Sequence, residues 1–381
     1  MIAALGDNIV CGLGFSSEEV YASVKKGIGG VKRYEGTFGL PDPFMASLIA
    51  DEALDSAFAD LGRGAAGDYT KFEKAIILSA SKAIAQAGID ASHKRVLFIL
   101  STTKGNVDLL EHENYDRQKV TLWHSAGLLA GWFGNTNEPV VVSNACISGL
   151  CAQITAQRMI ESGSYDAVVV VGCDMLSKFV ISGFHSFKAL SDTECRPFDA
   201  LRTGLNLGEA AATIVYSASD NVAGGCAKML CGAICNDANH ISGPSRTAEG
   251  LNNALQAVLQ VRPADKIAFV NAHGTATLYN DEMESIALSR SGLSSVPVNS
   301  LKAIFGHTLG AAGILETIIS TMSLKKRKVL GSRGFERSGV SCEVNISAEE
   351  RDITDDTKSC FIKMMSGFGG SNAAIIMEVG Q

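Results

Sequence analysis

The stretch VVVSNACISGLCAQITAQRMIESG, residues 140–163, decides the fold class. It begins with three valines that predict a buried strand, and after Cys146 its apolar residues recur at helical spacing up to Gly163, a suitable helix C-cap. The runs RVLFIL at 95–100 and DAVVVVG at 166–172 predict two more buried parallel strands. Strand, helix and strand in this order form a βαβ unit, so we expect an α/β protein.

A second stretch repeats this order. VPVNSLKAIFGHTLGAAGILETIISTMSLKKRKVL, residues 296–330, gives a short extended run, a turn with glycine, a long apolar helix and a return to extended structure. The repeat predicts two related halves packed together, an N-terminal half over residues 1–220 and a C-terminal half over residues 221–381. The join is expected near SASDNVAGG at 217–225.

Composition narrows the functional class. The 381 residues are 46% hydrophobic, enough for a large core, and the net charge of -7 with interspersed signs argues against nucleic-acid binding. The apolar runs are too short to cross a bilayer, and the N-terminus, interrupted by Asp7, does not have the pattern of a secretory signal. The 10 cysteines lack metal-ligand spacing and predict reduced core residues. We therefore expect a cytoplasmic protein that binds neither nucleic acid nor membrane, with no metal site.

Cys146 is the first candidate for chemistry. It lies at the predicted N-terminus of a helix, where unpaired N–H groups and the helix dipole lower a thiol pKa and favour the nucleophilic thiolate. A cysteine that is merely a small core residue would fit the same position. The assignment therefore depends on partners elsewhere in the chain.

Those partners lie far along the chain. His273 occurs in NAHGTATLYNDEMES with Glu284, and His307 occurs in NSLKAIFGHTLGAAG with Lys302. Both histidines follow short extended segments, where loops often carry function. The turn SGFGGSN at 366–372 can bring backbone N–H groups close to a ligand, since glycine has no Cβ.

This set of groups suits acyl transfer followed by carbon–carbon bond formation. A thiolate accepts an acyl group as a thioester, and backbone N–H groups stabilise the oxyanion. Two neutral imidazoles can then donate hydrogen bonds to a second thioester carbonyl and stabilise the enolate formed by loss of CO₂. We expect Lys302 and Glu284 to orient those imidazoles.

Taken together, these motifs resemble the β-ketoacyl-acyl-carrier-protein synthases of the elongating Cys-His-His type, within the thiolase-like superfamily. The resemblance covers nearly the whole chain and includes CRPFDALRTGLNLGEAAATIVY at 195–216. It implies two related α/β halves in a five-layered αβαβα arrangement. It also implies a dimer, formed either by two copies or with a ketosynthase-like paralogue.

The resemblance also implies roles for individual residues. Cys146 would be the acylated nucleophile, and His273 with His307 the decarboxylation pair. The residues expected to complete the catalytic site are Lys302, Glu284, and Phe368 with its neighbours Gly367 and Gly369. Among these, the N–H groups of Cys146 and Phe368 would form the oxyanion hole, and Phe368 would gate the site. The family uses no metal or organic cofactor, and its substrates arrive on the phosphopantetheine arm of acyl carrier protein.

Two further sets of residues are weaker predictions. Those expected to line the substrate site are Ile147, Thr275 and His240. Those expected to dock an acidic carrier protein are Arg63, Lys71, Lys74 and Arg202. For the docking set, an ordinary solvated face explains the charges as well.

The predicted function is extension of an acyl chain by two carbons, in fatty acid or in polyene or polyketide-type synthesis. One alternative is the ketosynthase subunit of a heterodimer with a catalytically inactive, chain-length-factor-like partner in aryl polyene-type pigment synthesis. The unusual NACISG context of the nucleophile favours such a specialised pathway. A non-catalytic scaffold subunit and a cysteine hydrolase are the alternatives of other classes. The presence of the cysteine and both histidines argues against a scaffold.

Overall fold

The computed structural model describes residues 1–219 and 225–380. The helices of this part are α1 (Ser17–Lys25), α2 (Asp51–Ala59), α3 (Lys71–Ala87), α4 (Leu122–Trp132), α5 (Ser148–Glu161), α6 (Lys178–Ser186), α7 (Glu249–Leu259), α8 (Leu278–Arg290), α9 (Lys302–Phe305) and α10 (Ala312–Lys325). The strands are β1 (Ile2–Cys11), β2 (Lys32–Tyr34), β3 (Phe44–Ser47), β4 (Val96–Ser101), β5 (Val140–Val142), β6 (Ala167–Asp174), β7 (Leu207–Gly208), β8 (Ala210–Ala218), β9 (Ala227–Asn236), β10 (Ile267–Asn271), β11 (Val298–Asn299), β12 (Lys328–Val329), β13 (Arg351–Asp352), β14 (Cys360–Gly367) and β15 (Ser371–Val379).

One mixed sheet of ten strands organises the chain, in the order β11-β10-β14-β15-β9-β1-β8-β6-β4-β5. Read outward from its centre, each side follows the same topology. One side runs β1, β8, β6, β4, β5, and the other runs β9, β15, β14, β10, β11. The outer three strands of each side are parallel to one another. The two halves predicted from the sequence are therefore related in topology.

The two sides join through a short antiparallel pairing of β1 with β9, in which Ile2 lies opposite Met229 and Ala3 opposite Lys228. The sequence did not predict this continuous sheet. The predicted boundary between residues 220 and 221 lies outside the described residues, and the division into two domains stays a prediction.

Helices pack on the sheet in layers. Helices α3 and α4 cover the outer face of the first side, and α7 and α8 cover that of the second. Helices α5 and α10 pack against each other and against strands of both sides, so they form the central layer. Its apolar residues include Leu150, Ile154, Ile314 and Ile318. The result is the expected αβαβα order.

The close crossing of α5 with α10 depends on small residues. A Cβ placed on Gly149 would lie 3.0 Å from the Cα of Gly313, so side chains larger than hydrogen would push the two helices apart. This crossing brings the start of α5 close to the turn that precedes α10. Those two points carry Cys146 and His307.

The strand and helix predictions are confirmed, with one difference in burial. The predicted parallel strands are β4, β5 and β6, and Gly163 adopts the left-handed conformation just beyond α5, with φ of 70°. The three valines of β5 are only half-buried, whereas the sequence predicted a buried strand. The reason is that β5 is the edge strand of the sheet.

Candidate active site

Cys146 lies on the turn between β5 and α5 and is buried. The preceding residue, Ala145, has a φ of 44°, a strained conformation for a residue with a Cβ. Ser148 stabilises the turn, because its hydroxyl accepts a hydrogen bond from Asn144 N–H at 2.8 Å and donates one to the Ala145 carbonyl at 2.6 Å. The turn therefore fixes the thiol just before the first turn of α5.

His273 lies two residues beyond the end of β10 and is buried. Glu284, on α8, accepts hydrogen bonds from the backbone N–H groups of His273 and Gly274, each at 2.7 Å. Glu284 also accepts a hydrogen bond from the side chain of Asn280 at 2.8 Å. The carboxylate of Glu284 therefore positions the backbone of His273, rather than orienting its imidazole as the sequence suggested.

His307 follows α9 and is fully buried. Its backbone N–H donates to the Asn206 carbonyl at 2.7 Å, and its carbonyl accepts from Gly208 N–H at 3.1 Å. Gly306 makes this approach feasible, because a Cβ there would lie 2.2 Å from the Leu207 carbonyl oxygen. A segment of the first half of the chain thus clamps a histidine of the second half.

These three side chains meet at one point. Cys146 Sγ and one ring nitrogen of each histidine all lie within 4.8 Å of one another, and the two imidazole centroids are 5.0 Å apart with the rings nearly perpendicular. Within the described part of the chain, His273 Nδ1 and both ring nitrogens of His307 are buried without a hydrogen-bond partner. Buried polar groups are normally paired, so these nitrogens are placed to meet a group that the chain itself does not supply.

The electrostatics of the three groups keep them uncharged. Burial, followed by the charge of Lys302, holds the pKa of both His273 and His307 well below the usual range. Burial raises the pKa of the Cys146 thiol, and the opposing effects of Lys104, Lys302 and the backbone N–H of Phe368 do not offset it. The predicted lowering of the Cys146 pKa is therefore wrong in direction, because desolvation is the largest effect on the thiol.

A buried ionic cluster lies behind the histidines. Lys302 Nζ forms an ion pair with Glu316 of α10, and Lys363 Nζ of β14 pairs with the other carboxylate oxygen of Glu316 at 2.5 Å. Lys302 and Lys363 are fully buried. Sequence reasoning found Lys302 but missed the two other members of the cluster, Glu316 and Lys363. Each missed residue is a single charge within an apolar run, ILETII for Glu316 and FIKMM for Lys363, and that pattern is the signal for them.

A second carboxylate, at the end of β6, accepts hydrogen bonds from residues that follow β4 and from the turn before α10. Asp174, at the end of β6, accepts hydrogen bonds from Thr102 Oγ1 at 2.9 Å and from Gly310 N–H at 2.7 Å. It also accepts from Lys104 N–H at 3.2 Å. Asp174 therefore links the first half of the chain to the turn that carries His307. The sequence analysis did not identify it.

The glycine-rich turn lies against Cys146, as expected. A Cβ on Gly367 would lie 3.2 Å from the Cys146 backbone nitrogen, and the backbone N–H of Phe368 acts to lower the pKa of the thiol. The Phe368 ring contacts Phe184 and Phe187, with centroids 6.1 and 5.4 Å away. Gly369 is exposed, and its N–H donates to the Ile241 carbonyl at 2.7 Å. The turn thus lies beside the backbone nitrogen of Cys146, and the ring of its Phe368 is half-buried against two other aromatic rings.

The residues predicted to line the substrate site differ in position. Ile147 is fully buried in the central core and lies beside Gly367, while Thr275 is buried and shares a hydrogen bond with Thr277 at 2.9 Å. His240 is exposed, and its Nδ1 accepts backbone hydrogen bonds from the turn that follows it. The structure therefore does not bring His240 to the imidazole pair, because its ring closes a local turn.

The residues predicted to dock a carrier are mostly engaged within the chain. Lys71 pairs with the buried Glu209 and with Asp51, each at 2.8 Å, and Lys74 pairs with Asp55. Arg202 is buried and donates to backbone carbonyls, including that of Gly339 at 2.6 Å. Arg63 is exposed, with its guanidinium 5.0 Å from the Trp132 ring centroid. Lys71, Lys74 and Arg202 thus already have partners within the chain, and docking of a carrier protein at these residues stays a prediction.

The thiol and two imidazoles are also a donor set that a metal ion could use. The surrounding charge opposes that use. Two buried ammonium groups, Lys302 and Lys363, share the single carboxylate of Glu316, so a divalent cation would enter a region of positive potential. The geometry therefore favours binding of a polar, neutral or anionic group.

Two family models match this chain, one over the segment that contains Cys146 and the other over the segment that contains both histidines. The β-ketoacyl synthase N-terminal domain matches residues 3–221, and the β-ketoacyl synthase C-terminal domain matches residues 227–336. The chain belongs to the β-ketoacyl synthase family, as the sequence motifs predicted.

Curated relatives carry related names. A putative polyketide β-ketoacyl synthase 1 of Streptomyces halstedii is 27% identical over 342 residues, covering 79% of this chain and 80% of that protein. A 3-oxoacyl-(acyl-carrier-protein) synthase 2 of Staphylococcus aureus (strain COL) is 31% identical over 250 residues. The latter match covers 61% of this chain and spans only 60% of that protein's length.

The fold has a near-complete counterpart among solved structures. A chain of the complex of a ketosynthase with its chain length factor from Xenorhabdus doucetiae superposes with a TM-score of 0.87, at 23% identity, over 100% of this chain and 98% of that one. The predicted thiolase-like fold is confirmed. Among the described residues, no helix has both the length and the apolar character needed to cross a bilayer.

Proposed function

We propose that this protein is a condensing acyltransferase, a β-ketoacyl-acyl-carrier-protein synthase of the Cys-His-His type. It transfers an acyl group to Cys146 and condenses it with a malonyl thioester, with loss of CO₂. The observation that carries this proposal is the convergence of Cys146 Sγ and a ring nitrogen of His273 and of His307 within 4.8 Å, in a buried site.

The first half-reaction forms the acyl-enzyme. Because burial raises the Cys146 pKa, the resting side chain is a thiol, and its proton passes to a neighbouring neutral imidazole as sulfur attacks the thioester carbonyl. The carrier thiolate leaves and takes up a proton, so atoms and charge balance. The N–H groups of Cys146 and Phe368 stabilise the oxyanion of the tetrahedral intermediate.

The second half-reaction makes the carbon–carbon bond. The malonyl thioester loses CO₂, and the electron pair of the broken bond forms an enolate whose oxygen accepts hydrogen bonds from the two imidazoles. This step needs donors rather than a strong base, which suits histidines whose pKa is held well below the usual range. The enolate carbon attacks the acyl carbonyl, and the Cys146 thiolate leaves.

We propose that substrates arrive on the phosphopantetheine arm of acyl carrier protein, without a metal or an organic cofactor. The name of the Staphylococcus aureus relative specifies such a carrier. A long flexible thioester arm suits a nucleophile that is buried rather than exposed at the surface. None of the steps above requires electron transfer or an electrophile beyond the thioester.

The test is intact-mass spectrometry after incubation with a panel of acyl-carrier thioesters. We expect a mass gain of one acyl group in the wild type and in Cys151→Ala, and none in Cys146→Ala. Cys151 is the matched control because it is a second buried cysteine, in the first turn of the helix that follows Cys146. Malonyl carrier added to the acylated protein should then release CO₂ and yield a product two carbons longer. Acylation that persists in Cys146→Ala, or release of free acid without condensation, would refute the proposal.

A second candidate is the ketosynthase subunit of a heterodimer that makes a polyene or polyketide-type product. The specific observation is the likeness to a ketosynthase solved together with its chain length factor, and the polyketide name of the Streptomyces relative agrees with it. The half-buried edge strand β5 and the exposed Trp123 on α4 provide a surface for either dimer. Native mass spectrometry of the protein alone and after co-expression with a ketosynthase-like paralogue distinguishes a homodimer from a heterodimer.

A further inference from the structure

Lys363 is a buried charge that the reaction described above does not use. It lies in the middle of β14, flanked by Ile362 and Met364, opposite Asn271 on β10 and Ile375 on β15. Its side chain is fully buried. Burial of an ammonium group costs several kcal/mol, and an apolar residue of similar length would fill the strand position without that cost. Such a group is a candidate for function when it lies at a site.

The contacts of Lys363 point toward the histidines. Its Nζ lies 2.5 Å from Glu316 Oε2 and donates to the Ala272 carbonyl at 3.0 Å, directly before His273. The other carboxylate oxygen of Glu316 pairs with Lys302. Lys302 and Glu316 alone would be a neutral pair. Lys363 gives this buried cluster a net charge of +1.

Other charged and titratable groups also face the imidazoles. They come from several elements: Lys104 after β4, Asp174 of β6, Cys146 before α5, and Asp281 and Glu284 of α8. Asp174 receives several backbone hydrogen bonds, and burial raises the pKa of Glu284 and of Asp281 toward neutrality. Burial lowers the pKa of Lys363 itself to about 8, so near neutral pH its side chain is mostly a protonated ammonium that acts on the imidazoles together with these groups.

We propose that Lys363 is a positioning residue of the condensing site, whose buried ammonium keeps His273 and His307 uncharged and adds positive potential where the enolate oxygen forms. This inference rests on the proposed function. A neutral imidazole can donate to the enolate without first giving up a proton, and a nearby fixed cation stabilises the negative charge as it develops. The charge effect agrees with the lowered pKa of both histidines, to which Lys363 contributes after burial and Lys302.

The test compares CO₂ release from malonyl carrier by the acylated wild type, Lys363→Met, Lys363→Arg and Lys325→Met, from about pH 4 to about pH 9, a range that extends below the usual histidine pKa. Lys325 is the matched control, since it is an exposed lysine on the helix that carries Glu316. The rate should fall at low pH, where the imidazoles become protonated. In Lys363→Met we expect this acid limb of the pH–rate profile to move up by about one pH unit, which is a roughly tenfold loss of rate at a pH on that limb. Lys363→Arg should restore the wild-type limb, and Lys325→Met should retain it.

Two results would overturn the inference. If the acid limb of the Lys363→Met pH–rate profile lies at the same pH as that of the wild type, Lys363 has only a packing role, even if the overall rate is lower. Failure of Lys363→Arg to restore the limb would show that charge is not the cause. If Lys363→Met does not fold, Lys363→Gln replaces it, since its amide can still donate to the Ala272 carbonyl.

A second measurement separates this inference from the proposed function. NMR titration of isotope-labelled histidine reports the pKa values of His273 and His307 without turnover, with assignment by single histidine substitutions. Loss of the Lys363 charge should raise both pKa values whether or not the protein condenses malonyl carrier. A wild type that releases no CO₂ at any pH would refute the proposed function alone, and unchanged histidine pKa values would refute the role of Lys363 alone.

Discussion

Substitution of Glu316 by glutamine should destabilise the protein in a way that depends on pH. Glu316 is the shared partner of two fully buried ammonium groups, Lys302 and Lys363. Glutamine keeps the size of the side chain but leaves both cations without a counter-charge. Removal of one partner from a buried ion pair costs about 3–5 kcal/mol, and in this cluster the loss affects two cations at once.

The size of the expected effect follows from the length of the chain. At about 2.1 cal/mol/K of unfolding entropy per residue, 381 residues give about 0.8 kcal/mol/K. A loss of about 4 kcal/mol therefore lowers Tm by about 5 °C. Glu336→Gln is the matched control, since Glu336 is in an ion pair with Arg196 while its side chain is 74% exposed. An exposed pair contributes at most about 1 kcal/mol, so the control should lose about 1 °C or less.

The pH dependence gives a sharper test. Burial lowers the pKa of Lys363 to about 8, below its value in the unfolded chain, so the unfolded state binds more protons between the two values and stability rises with pH there. Without Glu316 the lysine pKa falls further, and the deficit of Glu316→Gln should be larger at about pH 7 than at about pH 9. The double variant Glu316→Gln/Lys363→Met should recover a large part of the loss. Thermal unfolding by circular dichroism measures these effects, and a small deficit that neither pH nor Lys363 changes would refute the reasoning.

Two further predictions concern the nucleophile and the turn that carries His307. Lys104→Met should raise the pKa of Cys146 further, because Lys104 opposes the effect of burial, and the midpoint of iodoacetamide labelling of Cys146 should move to higher pH, with the other cysteines of the same sample as controls. A midpoint that does not rise would remove Lys104 from the site. Gly306→Ala should lower Tm by several times more than Gly292→Ala, as judged by thermal unfolding. Both glycines have positive φ, near 70°, but a Cβ on Gly306 would lie 2.2 Å from the Leu207 carbonyl oxygen, while Gly292 has open space. Equal losses would mean that the strain of positive φ, about 1–2 kcal/mol, is the whole effect.

The sequence by itself determined the fold class and picked out three residues that meet in the candidate site. The apolar run of β6 and the helical spacing of α5 are local patterns, and they predicted a βαβ unit that the structure contains. The repeat of strand, turn and small-residue helix predicted two related halves, whose sheet topology proves to be the same. Cys146, His273 and His307 were recognisable because each occurs in a short motif at the end of an extended segment. Such a local motif can be identified without knowing which residues are its neighbours in space.

Only the tertiary structure decided which groups meet and how burial changes them. The sequence contains Glu316 and Lys363 as single charges in apolar runs, but the ion pairs of Glu316 with Lys302 and with Lys363 depend on how α10 packs on β14. The same dependence applies to Lys71, a helix residue whose pairing with the buried Glu209 cannot be seen in the sequence. It also explains the wrong direction predicted for the Cys146 pKa. A helix N-terminus is visible in a sequence, whereas desolvation is a property of everything packed around the thiol, and here desolvation is the larger effect.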